Sequence, residues 1–145
     1  MACSPPMSPL RDRILCAVLA ACGLSGCDVA PSSAPPPKLS REAIVTRDAP
    51  AERVFRGQLA GAAAHFVVDD CEVFQVESRA GGEVHWTSVL KPEPYPLWTS
   101  CERQSLSFDG RAVTATLGRQ AFGAGGCCAT GGTYRTVDGR TWKRF

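Results

Sequence analysis

The sequence predicts an all-β fold over residues 52–145: a small antiparallel sandwich or partly open barrel of about seven or eight short strands, stapled by disulfides. Three observations predict it. Beyond Glu52 the apolar residues come in short runs separated by turn signals, and no long stretch holds a 3.6-residue period. The pairs Gly81-Gly82, Asp109-Gly110 and Asp138-Gly139 mark reversals, because glycine takes positive φ without steric cost. Four cysteines, Cys71, Cys101, Cys127 and Cys128, fall in a segment long enough for only one small core, where covalent support is useful.

In chain order, strands are expected at Val54–Leu59, His65–Val68, Glu72–Ser78, Glu83–Leu90, Gln104–Phe108, Arg111–Leu117, Thr133–Thr136 and Thr141–Phe145. Alternation is clearest in RAVTATL, where Val113, Ala115 and Leu117 face one way and Thr114 and Thr116 the other. Phe55, Phe66, Phe74, Trp86, Phe108, Tyr134 and Trp142 are the expected core aromatics. TVDGRTW, residues 136–142, resembles a contracted Asp-box, the hairpin motif that decorates β-propellers, and SFDGRAV at 107–113 echoes it. Two partial copies do not make a propeller, so both are expected to be hairpin turns capped by aspartate, with Trp142 packed beside the second.

Upstream the composition changes. Arg11 and Arg13 precede ILCAVLAACGL, an apolar run too short to span a bilayer but of the length and flank of a secretory h-region; a start at Met7 would only shorten the segment before it. LSGC follows, ending at Cys27. Here the first 28 residues resemble the bacterial lipoprotein signal class. The resemblance implies cleavage after Gly26, so that residues 1–26 are a signal peptide, and a diacylglyceryl thioether on Cys27. Two or three acyl chains then hold the protein stably to a membrane, which one chain does not. It implies a bacterial cell-envelope location with the domain in the periplasm. Asp28 resembles an inner-membrane retention signal, the outer membrane being the other destination. Residues 27–51, with Pro31, Pro35, Pro36, Pro37 and Pro50, read as a tether, with a short helix capped by Ser40 near residues 40–46.

Charge narrows the partners. A formal net charge of +2 is too small for a nucleic-acid binder. Residues 52–102 hold eight acids against four bases, and residues 103–145 hold seven bases against two acids, an asymmetry expected to be met by pairing of the two halves within one fold.

Chemistry is sparse. In an oxidising compartment four cysteines point to two disulfides. A bond between neighbours Cys127 and Cys128 is disfavoured by their Cα separation of about 3.8 Å, so Cys71 and Cys101 are each expected to take one of the adjacent pair. A thiolate metal site or thiol exchange at Cys127 and Cys128 is the sharper alternative, but no C-x2-C spacing or nearby histidine supports it. The glycine-rich loop FGAGGCCATGGTY fits no phosphate-binding pattern, and no cofactor or resident metal is expected. Asp69, Asp70 and Glu72 read as a solvated turn rather than a cation site. His65 and His85 lack a framing motif with Ser88, Ser100 or Ser107, so an enzyme is not the expectation. KPEPYPLW, residues 91–98, reads first as a well-packed crossover between strands and second as a rigid loop whose Tyr95 and Trp98 present a binding surface. The expected role is binding of an envelope protein or ligand. Inhibition of a hydrolase such as lysozyme is suggested only by size, strands, disulfides and anchor, and no inhibitor motif accompanies it.

Overall fold

A computed structural model describes residues 38–123 and 127–145 of the chain, with no side-chain detail at Cys127. Strands dominate: β1 (Val54–Leu59), β2 (Ala62–Asp69), β3 (Glu72–Ser78) and β4 (Val84–Leu90) form one antiparallel sheet in sequential order. β5 (Thr99–Phe108), β6 (Val113–Ala121), β7 (Cys127–Thr136) and β8 (Lys143–Arg144) form a second with the same order. The all-β expectation holds, and the architecture is an open sandwich of two four-stranded meanders.

Phe55, Leu59, Phe66, Val68 and Val73 of the first sheet meet Leu106, Val113, Ala115 and Leu117 of the second to form the core. The RAVTATL alternation is realised, with Val113, Ala115 and Leu117 buried and the threonines between them half-buried. Phe66 is 1% exposed, stacks at 6.1 Å on Phe55 and meets Trp142 edge-on at 5.8 Å. Phe108 departs from the expected core. Its ring touches Phe55 at 4.9 Å yet is 45% exposed, because it ends the edge strand β5 where the sandwich opens.

Phe74 and Trp86 serve a different layer. Their rings stack at 4.7 Å on the outer face of the first sheet, under α1 (Arg41–Asp48). The helix starts where Ser40 Oγ accepts a hydrogen bond from Ala43 N, and Glu42 in its first turn and Arg47 in its last suit the helix dipole. It buries Ala43 and Thr46, and Trp86 Nε1 donates to Thr46 Oγ1 at 2.9 Å. Ser40 N donates to Glu83 Oε1, and Arg41 pairs with Asp69. The segment from 41 onward is therefore docked on the domain rather than extended as tether. The part-buried hydrogen bond from Trp86 and the burial of Ala43 supply the reason.

The largest difference from the sequence reading lies in the glycine-rich stretch. Residues expected as a loop before Thr133 are strand: β7 begins at Cys127 and pairs with β6 from Arg119↔Thr130 to Val113↔Thr136, with a register shift before Gln120↔Cys127. Gly118 faces Gly131 in that ladder. An added Cβ on Gly131 would lie 2.3 Å from Leu117 O, so absence of a side chain is what lets the two backbones approach.

Candidate functional site

A meander places alternate turns at one end of its sheet, so the β5–β6 and β7–β8 turns lie side by side. Each is capped by an aspartate, as the DG pairs led one to expect. Asp109 Oδ1 accepts from Arg111 N (3.0 Å) and Ala112 N (2.8 Å); Asp138 Oδ1 accepts from Arg140 N and Thr141 N (both 2.8 Å) and from Thr136 Oγ1 (3.1 Å). Between them Arg135 on β7 lies in the ladder with Thr114 on one side and Lys143 on the other, and its guanidinium pairs with Asp109.

Arg135 and Lys143, with Arg111, Val137, Asp138, Thr141 and Phe145, line a cleft of about 720 Å³. Arg135 is committed to Asp109, whereas among the described residues neither Arg111 nor Lys143 belongs to an ion pair. Val137 and Phe145 expose apolar surface beside these two cations. The arrangement suits an anionic ligand with an apolar part, held by charge at Arg111 and Lys143.

The backbone N–H groups of Thr141 and Arg140 hold the Asp138 carboxyl well below its ordinary value of 3.8, to about 2. A carboxylate depressed on folding stabilises the fold above its unfolded value and loses that contribution as pH falls from 3.8 towards 2. Asp138→Asn is expected to flatten the pH dependence of the melting temperature in that acid window while leaving its slope above pH 5 unchanged. An identical acid slope in the variant would remove the turn cap as its source.

The two halves of the chain do not neutralise each other as expected. Among the described ion pairs only Arg119–Asp70 (2.9 Å) joins the sheets. Asp69 holds Arg41 at 2.6 Å and Glu72 holds Lys91 at 3.0 Å, so the DDCE cluster is spent on three separate cations. The basic surplus stays on the second sheet, where the strand ladder gathers part of it into the cleft.

The disulfide expectation needs correction. Cys71 bonds Cys101, with Cα atoms 5.5 Å apart, instead of each taking one of the adjacent pair. Asp70 and Cys71 form the two-residue β2–β3 turn in left-handed conformation (φ 45° and 58°), which turns the Cys71 side chain inward to 0% exposure against β5. Cys71 N donates to Gln104 Oε1 at 3.0 Å, fixing the turn against that strand. Cys128 also belongs to a disulfide, and Arg103 Nη2 lies 3.5 Å from its sulfur; its bonding partner lies outside the described side chains. Neither sulfur of the Cys71–Cys101 bond is a thiol, and among the described residues no three His, Cys, Asp or Glu side chains group to hold a metal.

His65 accepts from Arg56 Nε at 3.0 Å, and burial together with the Arg56 charge pushes its pKa down. Ser88 and Ser100 each bond a carboxylate, Glu72 and Glu102, rather than a histidine. Tyr95 is half-buried in the β4–β5 connection, while Trp98 is 86% exposed, with Leu97 beside it and Phe122 across the strand end. Cys27 and Asp28 lie outside the described residues, among which no helix is long and apolar enough to cross a membrane.

The sequence reading missed the cleft. Its cations come from positions 111, 135 and 143, and the only signal linking them was the repeated Asp-Gly turn. The chain matches no protein-family model, no curated protein and no solved structure.

Proposed function

We propose that the chain is a lipid-anchored envelope lipoprotein whose β domain is a binding module, taking an anionic partner in the cleft at Arg111, Arg135 and Lys143. The observation that carries the binding role is the cleft itself: two cations with no carboxylate partner among the described residues, beside exposed Val137 and Phe145. The anchor rests on Arg11, Arg13, the apolar run and the LSGC that ends in Cys27. Asp109 positions Arg135, so the cleft keeps its shape without ligand.

Two readouts on the full-length chain test the two halves separately. Cys27→Ala is expected to move the protein from the membrane to the soluble fraction, and unchanged attachment would remove the anchor. With that soluble form, a fluorescent Glu-rich peptide is expected to raise anisotropy at low salt, and Arg111→Glu with Lys143→Glu is expected to weaken binding by at least about tenfold, as charge reversal turns attraction into repulsion. Equal binding by the reversed variant would remove the cleft.

A further inference from the structure

Asp109 holds two parts of the cleft with one carboxylate. Its Oδ1 accepts from Arg111 N and Ala112 N in the β5–β6 turn, and its Oδ2 pairs with Arg135 Nη2 on β7. The two attachments are unequal. The turn amides of Ala112 and Arg111, ahead of the Arg135 charge, hold the Asp109 carboxyl below its ordinary value. The pair with Arg135 is open to water, its side chains 43% (Arg135) and 52% (Asp109) exposed, and exposed ion pairs contribute little. Separation from Arg135 therefore leaves the carboxylate on its turn, whereas the guanidinium can exchange one anion for another.

Arg135 also faces Lys143 in the β7–β8 ladder. Like charges directly opposite on neighbouring strands repel, and in the resting cleft the Asp109 carboxylate offsets that repulsion. A ligand with one negative charge offers Arg135 nothing that Asp109 does not already give. A ligand held at Arg111 and Lys143 by two of its charges presents a third at high effective concentration, and the exchange then runs in its favour. Asp138, the carboxylate that lines the cleft, is bonded to its own turn through Arg140 N, Thr141 N and Thr136 Oγ1 and belongs to no ion pair among the described residues, so it occupies none of the three cations.

We propose that Asp109 is a built-in counter-ion that occupies Arg135 until an anionic ligand carrying several linked charges displaces it. The proposal rests on the reading of the cleft as an anion site. At rest Arg111 and Lys143 meet the ligand. Displacement adds Arg135 as a third cation, while Asp109 Oδ1 keeps the turn, and with it the backbone of Arg111, in place.

The test uses the full-length Cys27→Ala protein as parent and the anisotropy of a fluorescent Glu-rich peptide at low salt. Asp109→Asn keeps an oxygen for the two turn amides and removes the charge from Arg135. It is expected to bind the peptide about three- to fivefold more tightly than the parent, with the difference closing at high salt. Arg135→Gln is expected to abolish that gain, so that the double variant binds no better than Arg135→Gln alone. A peptide with only two glutamates, which Arg111 and Lys143 satisfy, is expected to gain less than about twofold from Asp109→Asn. Absence of the gain, the same gain in the Arg135→Gln background, or equal gains for both peptides overturns the proposal and leaves the anion site standing. Weaker binding by Asp109→Asn at an unchanged melting temperature does the same. Binding by Asp109→Asn where the parent binds nothing supports both, and absence of binding by either protein overturns both. Asp109→Ser, whose uncharged hydroxyl also caps turns, repeats the test should the amide variant fold poorly.

Discussion

Digestion with trypsin under non-reducing conditions is expected to leave peptides 57–79 and 80–103 joined, because Cys71 and Cys101 lie on them and Lys91 is protected by the proline after it. Linkage of either peptide to 120–135, which carries Cys127 and Cys128, would refute the pairing. The bond closes a 30-residue separation, and the chain-entropy relation gives about 3–4 kcal/mol for its removal. Cys71→Ser should lose at least that much, since it also leaves a hydroxyl at a fully buried site in a left-handed turn. Cys101→Ser leaves its hydroxyl at a half-buried site and should fall short of Cys71→Ser. Equal denaturant midpoints for wild type and both variants would show that hairpin β2–β3 docks on β5 without the bond.

Gly131→Ala should be of similar severity by a different route. The new Cβ would sit 2.3 Å from Leu117 O and 2.8 Å from Leu117 C, and the residue has φ +115°, where side chains are rarely accommodated. Both obstacles are backbone, so no side-chain rotation relieves them. A loss of about 3 kcal/mol or more in denaturant unfolding is expected, from parting of the β6–β7 ladder. Gly61→Ala supplies the comparison. Its φ is +79° but its Cβ would meet nothing within 4 Å, so it should lose only about 1 kcal/mol. Equal losses at both sites would mean that conformation alone, and not the close approach at Leu117, fixes glycine at 131.

The strands β1 and β3 were legible to the residue because their β-branched and aromatic side chains come in short runs bounded by turn residues. Strand β7 was not, for the same reason inverted. Gly131 and Gly132 carry no side chain and so no period, and what they enable is a backbone distance that only the partner strand reveals. The cap of α1 was readable in Ser40, whereas its docking was not, since Trp86 reads as a core residue until Thr46 is seen bonded to it. Adjacency of Cys127 and Cys128 drew the disulfide reading towards the pair. The deciding fact was the placement of the Asp70-Cys71 turn against β5, which no local pattern encodes. The exposure of Trp98 agrees with only the second of two readings of its proline-flanked segment, the first being a packed crossover. Phe122, its neighbour across the strand end, was hidden because it stands 24 positions away in a glycine-rich stretch.

Both sheets join only strands that follow one another in the chain. Each can therefore form from its own hairpins without a search for distant strand partners within the sheet. A chain emerging from its amino terminus completes residues 54–90 while the second half is still arriving. During that interval the sulfur of Cys71 waits at a finished turn, and the first cysteine to follow is Cys101. Synthesis thus presents the native partner of Cys71 before Cys127 or Cys128.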